Sequence, residues 1–148
     1  MRAFEDFKVG DIAEFGPLTV TAAEIKAFAT QFDPQPMHLD ATAQNTVVDG
    51  LLASGLHTVC MCMRLLADGL LRDSTSMGSP GVEEVRYLAP VRAGDRLTLR
   101  FEVLGVRPSK SRPAMGLVNF RSHMVNHDGR PVMLLVSTLM FGRREVAP

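Results

Sequence analysis

The sequence has no tryptophan, a single tyrosine and no excess of either charge. Its 16 basic and 16 acidic side chains cancel, whereas a nucleic-acid-binding protein usually carries a basic excess. A long uninterrupted apolar run is also missing, because Arg64 and Asp68 break the most apolar segment, residues 51–71. A membrane-spanning helix needs about 20 apolar residues in succession. We therefore expect neither nucleic acid nor a membrane as a partner.

Only two cysteines occur, Cys60 and Cys62, and their spacing disfavours a disulfide or a shared metal ion. In the helix predicted there, residues two apart point in nearly opposite directions. The simplest interpretation of both is that they are small core residues. Residues 1–6 lack the apolar stretch of an export signal, so we expect a cytoplasmic protein. We expect no metal site. A length of 148 residues predicts a single domain, residues 1–148.

Two helices are predicted in the first half of the chain. The shorter begins at Thr21, which forms a capping box with Glu24, and it ends before Pro34. A proline disfavours helical geometry in the residue that precedes it. The longer helix covers residues 54–72, with Ser54 as its N-cap, and is apolar around most of its circumference. We expect such a helix to be buried on several sides.

The second half of the chain alternates between apolar and polar residues, which is typical of half-buried β-strands. Strands are predicted at residues 82–88, 97–103, 118–124 and 132–141, with two shorter ones earlier, at 12–15 and 18–20. The strand at 132–141 is apolar on both faces, so we expect a homodimer in which a second copy helps to cover it. One long helix with antiparallel strands indicates an α+β fold. An antiparallel sheet wrapped around a central helix meets these requirements, but periodicity alone does not establish that topology.

An aspartate and a histidine lie five residues apart in a proline-containing loop, residues 33–40. The prolines limit how far Asp33 and His38 can separate, so the two side chains can share one water molecule and move its protons. The alternative is structural: Asp33 caps the loop, and His38 hydrogen-bonds a backbone carbonyl. A helical turn is predicted directly afterwards, at residues 41–46.

A glycine in the first turn of the long helix, Gly55, lets a ligand approach the free backbone N–H groups there. Those groups, with the helix dipole behind them, can stabilise a developing negative charge on an oxygen. The alternative is ordinary close packing of Gly55 against a strand.

The two segments together resemble the MaoC-like dehydratase family, which includes the (R)-specific enoyl-CoA hydratases. The chain reads F-A-T-Q-F-D-P-Q-P-M-H-L-D and, about a dozen residues later, L-L-A-S-G-L-H-T. The family's motif, D-x-N-P-x-H-x-D, is matched by Asp33, Pro36, His38 and Asp40, and the family's helix glycine by Gly55. Residues 76–95 are also similar. The chain departs from the family at Gln35, in place of the motif asparagine, and at Ser54, where hydratases often have histidine.

The resemblance implies a hot-dog fold and hydration of an acyl-CoA or acyl-carrier thioester, or the reverse dehydration. It implies that Asp33 and His38 are the catalytic pair and that the Gly55 N–H binds the thioester carbonyl. No cofactor is implied, since CoA is part of the substrate. Residues expected to contact the substrate are Gln35, Ser54, His57 and the basic loop residues Arg107, Lys110 and Arg112.

The basic loop and His57 have structural interpretations as well. Arginine and lysine are the usual partners of phosphate, so Arg107, Lys110 and Arg112 can meet the phosphates of CoA. They can equally form a solvated hairpin connection, and His57 can be a neutral packing residue.

Two other functional classes stay open. A hot-dog thioesterase would place a carboxylate on the central helix, where Asp68 is the only acid and lies far from Gly55. A non-catalytic thioester-binding subunit would keep the fold but would not need Asp33 and His38.

Overall fold

The protein, in a computed structural model that describes residues 1–43 and 49–144, has one antiparallel sheet and one long helix. Its strands are β1 (Ile12–Thr19), β2 (Gly81–Tyr87), β3 (Arg96–Pro108), β4 (Met115–Val125) and β5 (Pro131–Gly142). The α-helices are α1 (Ala22–Phe32), α2 (Pro36–Leu39) and α3 (Gly55–Gly69), with 3-10 turns at Phe4–Asp6 and Leu71–Asp73. The strand order is β1-β3-β4-β5-β2.

The core lies between α3 and the inner face of the sheet. Strand β3 alternates as the sequence predicted, with Leu97, Leu99, Phe101 and Val103 buried. From the helix, Met61, Cys62, Leu65 and Leu66 belong to the same apolar cluster. The expected α+β hot-dog arrangement, a sheet wrapped around a central helix, is confirmed.

Helix α1 begins where its sequence signals predicted. The Thr21 hydroxyl accepts a hydrogen bond from the N–H of Glu24 at 3.2 Å, which satisfies one free donor of the first turn. The helix ends at Asp33, whose N–H donates to the carbonyl of Ala29 at 2.9 Å. The C-terminus of α1 therefore fixes the backbone position of Asp33.

Two predictions about local structure were wrong. Residues 12–15 and 18–19 belong to one strand, β1, because the register with β3 shifts between Phe15 and Leu18 and pairing then resumes, and Val20 lies just beyond the strand. An edge strand tolerates Pro17 since one side of it forms no ladder. Residues 36–39 form α2 rather than loop, and a proline at the first helical position suits a helix start. The turn predicted at residues 41–46 extends outside the described residues.

Helix α3 is shorter and more exposed than predicted. It ends at Gly69, where the ring of Phe15 leaves no room for a side chain, and a 3-10 turn follows. Leu56 and Met63 are exposed, and of the cysteines only Cys62 is in the core. A single chain therefore leaves one apolar side of α3 uncovered. Among the described helices, none combines the length and the apolar character needed to cross a membrane.

Candidate active site

A cavity of about 540 Å³ lies where the C-terminus of α1, the N-terminus of α3 and the segment after β2 meet. Its polar side chains are Asp33, Gln35, His38, Thr58 and Tyr87. Apolar side chains, among them Leu52, Val91 and Val132, form most of the remaining wall. A mainly apolar pocket with a few converging polar groups is typical of a small-molecule site.

Both oxygens of the Asp33 carboxylate are engaged. Oδ2 accepts a hydrogen bond from the Ser54 hydroxyl at 2.6 Å, and Oδ1 accepts one from Nε2 of Gln35 at 2.7 Å. The bonds from Ser54 and then Gln35, with a smaller contribution from His38, hold the pKa of Asp33 below its usual value. Asp33 is therefore an ionised carboxylate at neutral pH, which is the form that can accept a proton.

The His38 imidazole bridges Asp33 and the backbone. Its Nε2 lies 3.3 Å from Oδ2 of Asp33, and its Nδ1 lies 2.7 Å from the carbonyl oxygen of Leu52. Because a carbonyl can only accept, it assigns a hydrogen to Nδ1 and leaves Nε2 to exchange protons at the carboxylate. The side chain is only 7% exposed, so its orientation is fixed. The backbone bond and the pairing with Asp33, weighed as alternatives from the sequence, occur together.

The N-terminus of α3 lies beside this pair. Ser54 is the N-cap residue, but its hydroxyl bonds Asp33 and makes no capping hydrogen bond. Within the described parts of the chain, no group accepts the N–H of Gly55. The ring of Tyr87 packs where a side chain on Gly55 would lie, so the close packing against a strand is also present. The glycine thus admits Tyr87 while its N–H group stays available.

Of the six expected substrate contacts, Gln35 alone lines this cavity in the single chain. His57 stacks on Phe28 and lines a separate cleft. Arg107 lies at the end of β3, and Lys110 and Arg112 lie in the connection that follows to β4, at the far end of the sheet. Along β5, Met133 pairs with Tyr87 near the cavity, and Met140 pairs with Leu117 near that connection. Seven residues separate these positions, roughly 23 Å of strand. The role of the basic residues in CoA binding stays a prediction.

Sequence reasoning did not predict the positions in the site of three residues, Ser54, Thr58 and Tyr87. Ser54 was expected to touch the substrate but hydrogen-bonds Asp33 instead. Thr58 lies three residues after Gly55, one helical turn along the cavity wall, and that spacing was an available signal. Tyr87 reaches the cavity only through the pairing of β2 with β5, for which the sequence carries no local signal.

Comparison with known proteins shows the family and the fold. Residues 7–120 match the family described as "MaoC like domain". The chain is 31% identical to an (R)-specific enoyl-CoA hydratase of Rhodospirillum rubrum, over 74% of this chain and 75% of that protein. A MaoC-like dehydratase structure from the same organism is 39% identical, covers 97% of this chain and 98% of its own, and superposes with a TM-score of 0.88. An R-hydratase from Pseudomonas aeruginosa, 24% identical, shares the fold with a TM-score of 0.78, over 99% of this chain and 92% of its own.

Proposed function

Because the chain belongs to the MaoC-like domain family, we propose that it hydrates the double bond of an α,β-unsaturated acyl-CoA-type thioester, or dehydrates the 3-hydroxyacyl product. The observation that carries the proposal is the approach of His38 Nε2 to Asp33 Oδ2, 3.3 Å, in a cavity that also receives the N-terminus of α3. One water molecule beside these two atoms is within reach of both.

The proposed reaction needs two proton movements. The water gives a proton to the ionised Asp33 carboxylate while its oxygen bonds to the β-carbon of the thioester. The α-carbon then receives a proton from the pair formed by Asp33 and His38. In sum, one O–H bond of water and the π bond between the α- and β-carbons are broken, one C–O bond and one C–H bond are formed, and the catalytic groups are restored. Since water and the thioester are the only reactants, we propose that no metal or redox cofactor takes part.

Addition of water places enolate charge on the thioester oxygen, and we assign its stabilisation to the Gly55 N–H. A donor at a helix N-terminus acts most strongly on charge that develops in the transition state. The hydroxyl of Ser54 is committed to Asp33, so the backbone rather than this side chain is left to meet the oxygen.

The rival thioesterase reaction finds less support. Asp68 forms ion pairs with Arg64 at 2.5 Å and Arg72 at 3.2 Å, and it lines the separate cleft on another side of α3. A carboxylate held this way is not available to activate water beside Gly55 in the same chain. A non-catalytic binding role would not require the hydrogen bonds that hold the Asp33 carboxylate in place beside His38.

The test follows two products in parallel on a panel of enoyl-CoA thioesters. Loss of the conjugated double bond without release of free thiol is expected, with Asp68→Asn as the control that stays active. Release of free CoA without a 3-hydroxyacyl thioester, abolished by Asp68→Asn and spared by His38→Ala, would make the protein a thioesterase. Binding of the thioesters with neither product would support the binding subunit.

We also propose a homodimer, joined through β2 rather than through the outer face of β5. Within the described residues β2 pairs only with β5, and its Val82 and Tyr87 are 53% and 54% exposed. The exposed Leu56 and Met63 of α3 add to the apolar surface that a single chain leaves uncovered. By contrast, the outer residues of β5 are mostly half-buried. An edge strand with exposed apolar side chains favours pairing with a second copy.

Antiparallel pairing of two β2 strands would also give the basic loop a position near the substrate. It would place the basic loop of the second copy at the end of the joined sheet where the cavity of this chain opens. We propose that this loop, residues 107–112, then meets the phosphates of CoA. Both cysteines are free thiols, which fits the reducing cytoplasm that we propose as the compartment.

A further inference from the structure

The helix that presents Asp33 has few anchors in the core. Along α1 only Ile25 and Ala29 are buried. Asp33 follows the last residue of the helix directly, and its N–H is bonded to Ala29. Any movement of α1 relative to α3 therefore carries the Asp33 carboxylate with it.

One flat contact joins α1 to α3 close to the site. The rings of Phe28 and His57 stack with centroids 4.7 Å apart and planes 7° from parallel. His57 is 8% exposed, and its Nδ1 is buried without a hydrogen-bond partner among the described residues. Burial lowers the pKa of His57, so the ring is neutral at neutral pH. The stack, rather than a hydrogen bond from Nδ1, is what we find holding the two helices together here.

Beside the stack the two helices separate. A cleft of about 700 Å³ opens between α1, α3 and the second half of β1. Glu24 and Ala27 of α1 line it from one side, and Cys60, Arg64 and Leu65 of α3 from the other. Within the described residues, side chains do not fill this cleft, so α1 is less well supported against α3 there than at its buried residues Ile25 and Ala29.

We infer that His57 is a positioning residue, whose ring holds Phe28 and so sets the place of Asp33 relative to Ser54 and His38. The contacts at stake are short: 2.6 Å from the Ser54 hydroxyl and 3.3 Å from His38 Nε2. Hydrogen bonds of this kind are lost when the atoms separate by about 1 Å. A misplacement of about 1 Å can cost roughly 100-fold in rate. The kinetic part of this inference rests on the proposed hydration.

The test compares His57→Ala with His57→Phe, which keeps a flat ring but no nitrogen. His57→Ala should lower kcat by about 10- to 100-fold with KM changed less than about twofold, because the chemistry rather than binding is disturbed. His57→Phe should restore most of kcat. The matched control is Gln31→Ala, which removes an exposed side chain from the same helix without touching either ring of the stack, and it should change neither constant.

A second readout does not depend on the enzyme activity. Carboxyl ¹³C NMR of Asp33 should show its pKa rising in His57→Ala, as the bond from Ser54 is lost, and staying low in His57→Phe. Should the protein prove not to be a hydratase, this titration still decides whether His57 positions Asp33. If His57→Ala does not fold, Phe28→Leu removes the flat surface while keeping the bulk, and the same changes are expected.

Three outcomes would overturn the inference. An unchanged Asp33 pKa and kcat in folded His57→Ala would mean that the stack does not position the carboxylate. Equal damage in His57→Phe would assign the role to the imidazole nitrogens. A rise in KM that depends on the acyl chain, with kcat intact, would make His57 a substrate contact.

Discussion

The hydroxyl of Ser54 donates a 2.6 Å hydrogen bond to Oδ2 of Asp33, across 21 residues of sequence. This bond joins the C-terminus of α1 to the N-terminus of α3. On the other side of the same carboxylate, Gln35 donates to Oδ1 at 2.7 Å. The departures from the family motif at positions 35 and 54 thus both act on the proposed base, and they act in the same direction, toward its ionised form.

Replacing Ser54 by alanine should shift the pH dependence of the reaction. Hydrogen bonds to a carboxylate favour its charged form, so their loss raises the pKa of Asp33. The base must be ionised, and activity falls as the pH drops through its pKa. In Ser54→Ala the acidic limb of the profile of kcat/KM against pH should therefore move to higher pH. On the plateau the loss should stay below about tenfold, because the base itself remains.

The control for this prediction is Ser54→Thr, which keeps a hydroxyl at the same position. Its acidic limb should lie close to that of the unchanged protein. An acidic limb that does not move in Ser54→Ala would mean that Asp33 is not the group whose ionisation limits the reaction at low pH.

Periodicity and capping signals were sufficient to predict much of the fold. The alternation of Leu97, Leu99, Phe101 and Val103 predicted β3, since side chains on a strand change face at every residue. Thr21 marked the start of α1 because its hydroxyl caps the first turn. The spacing of Asp33 and His38 predicted a pair, and their atoms are 3.3 Å apart.

Contacts between distant segments could not be predicted in this way. Periodicity identifies the apolar side of α3 but not what covers it, and Leu56 and Met63 proved to be exposed. The bond from Ser54 to Asp33 depends on how α1 packs over α3. Tyr87 reaches Gly55 through the register of β2 with β5, which local sequence does not encode.

Removal of either member of the proposed catalytic pair should nearly abolish hydration. Asp33→Asn and His38→Ala should each lower kcat by about 100-fold or more, the usual contribution of a positioned acid–base group. Asp40→Asn is a matched control, because Asp40 is an exposed carboxylate on the same segment that accepts bonds from Thr42 outside the cavity. It should keep activity within about threefold, a change below 1 kcal/mol in the barrier.

These measurements are made on the best substrate from the thioester panel, with circular dichroism to verify folding. Near-normal activity of folded Asp33→Asn and His38→Ala would show that the pair is not the acid–base group.

If the dimer forms through β2, arginine substitutions at the two opposite edges of the sheet should affect dimerisation differently. Val82 on β2 and Ile12 on β1 are both exposed apolar residues of edge strands, 53% and 72% exposed. If two copies join through β2, Val82→Arg buries an unpaired charge in the interface, whereas Ile12→Arg keeps its charge in water. An unpaired buried charge costs several kcal/mol, and each 1.4 kcal/mol is about tenfold in affinity, so Val82→Arg should weaken the dimer by at least about 100-fold.

Sedimentation velocity at micromolar concentration should show a dimer for the unchanged protein and Ile12→Arg, and a monomer for Val82→Arg. The monomer should also have a raised KM for the CoA thioester, because it lacks the basic loop of the second copy. A well-folded monomer of the unchanged protein, or equal behaviour of the two variants, would remove the β2 interface and with it the proposed use of Arg107, Lys110 and Arg112.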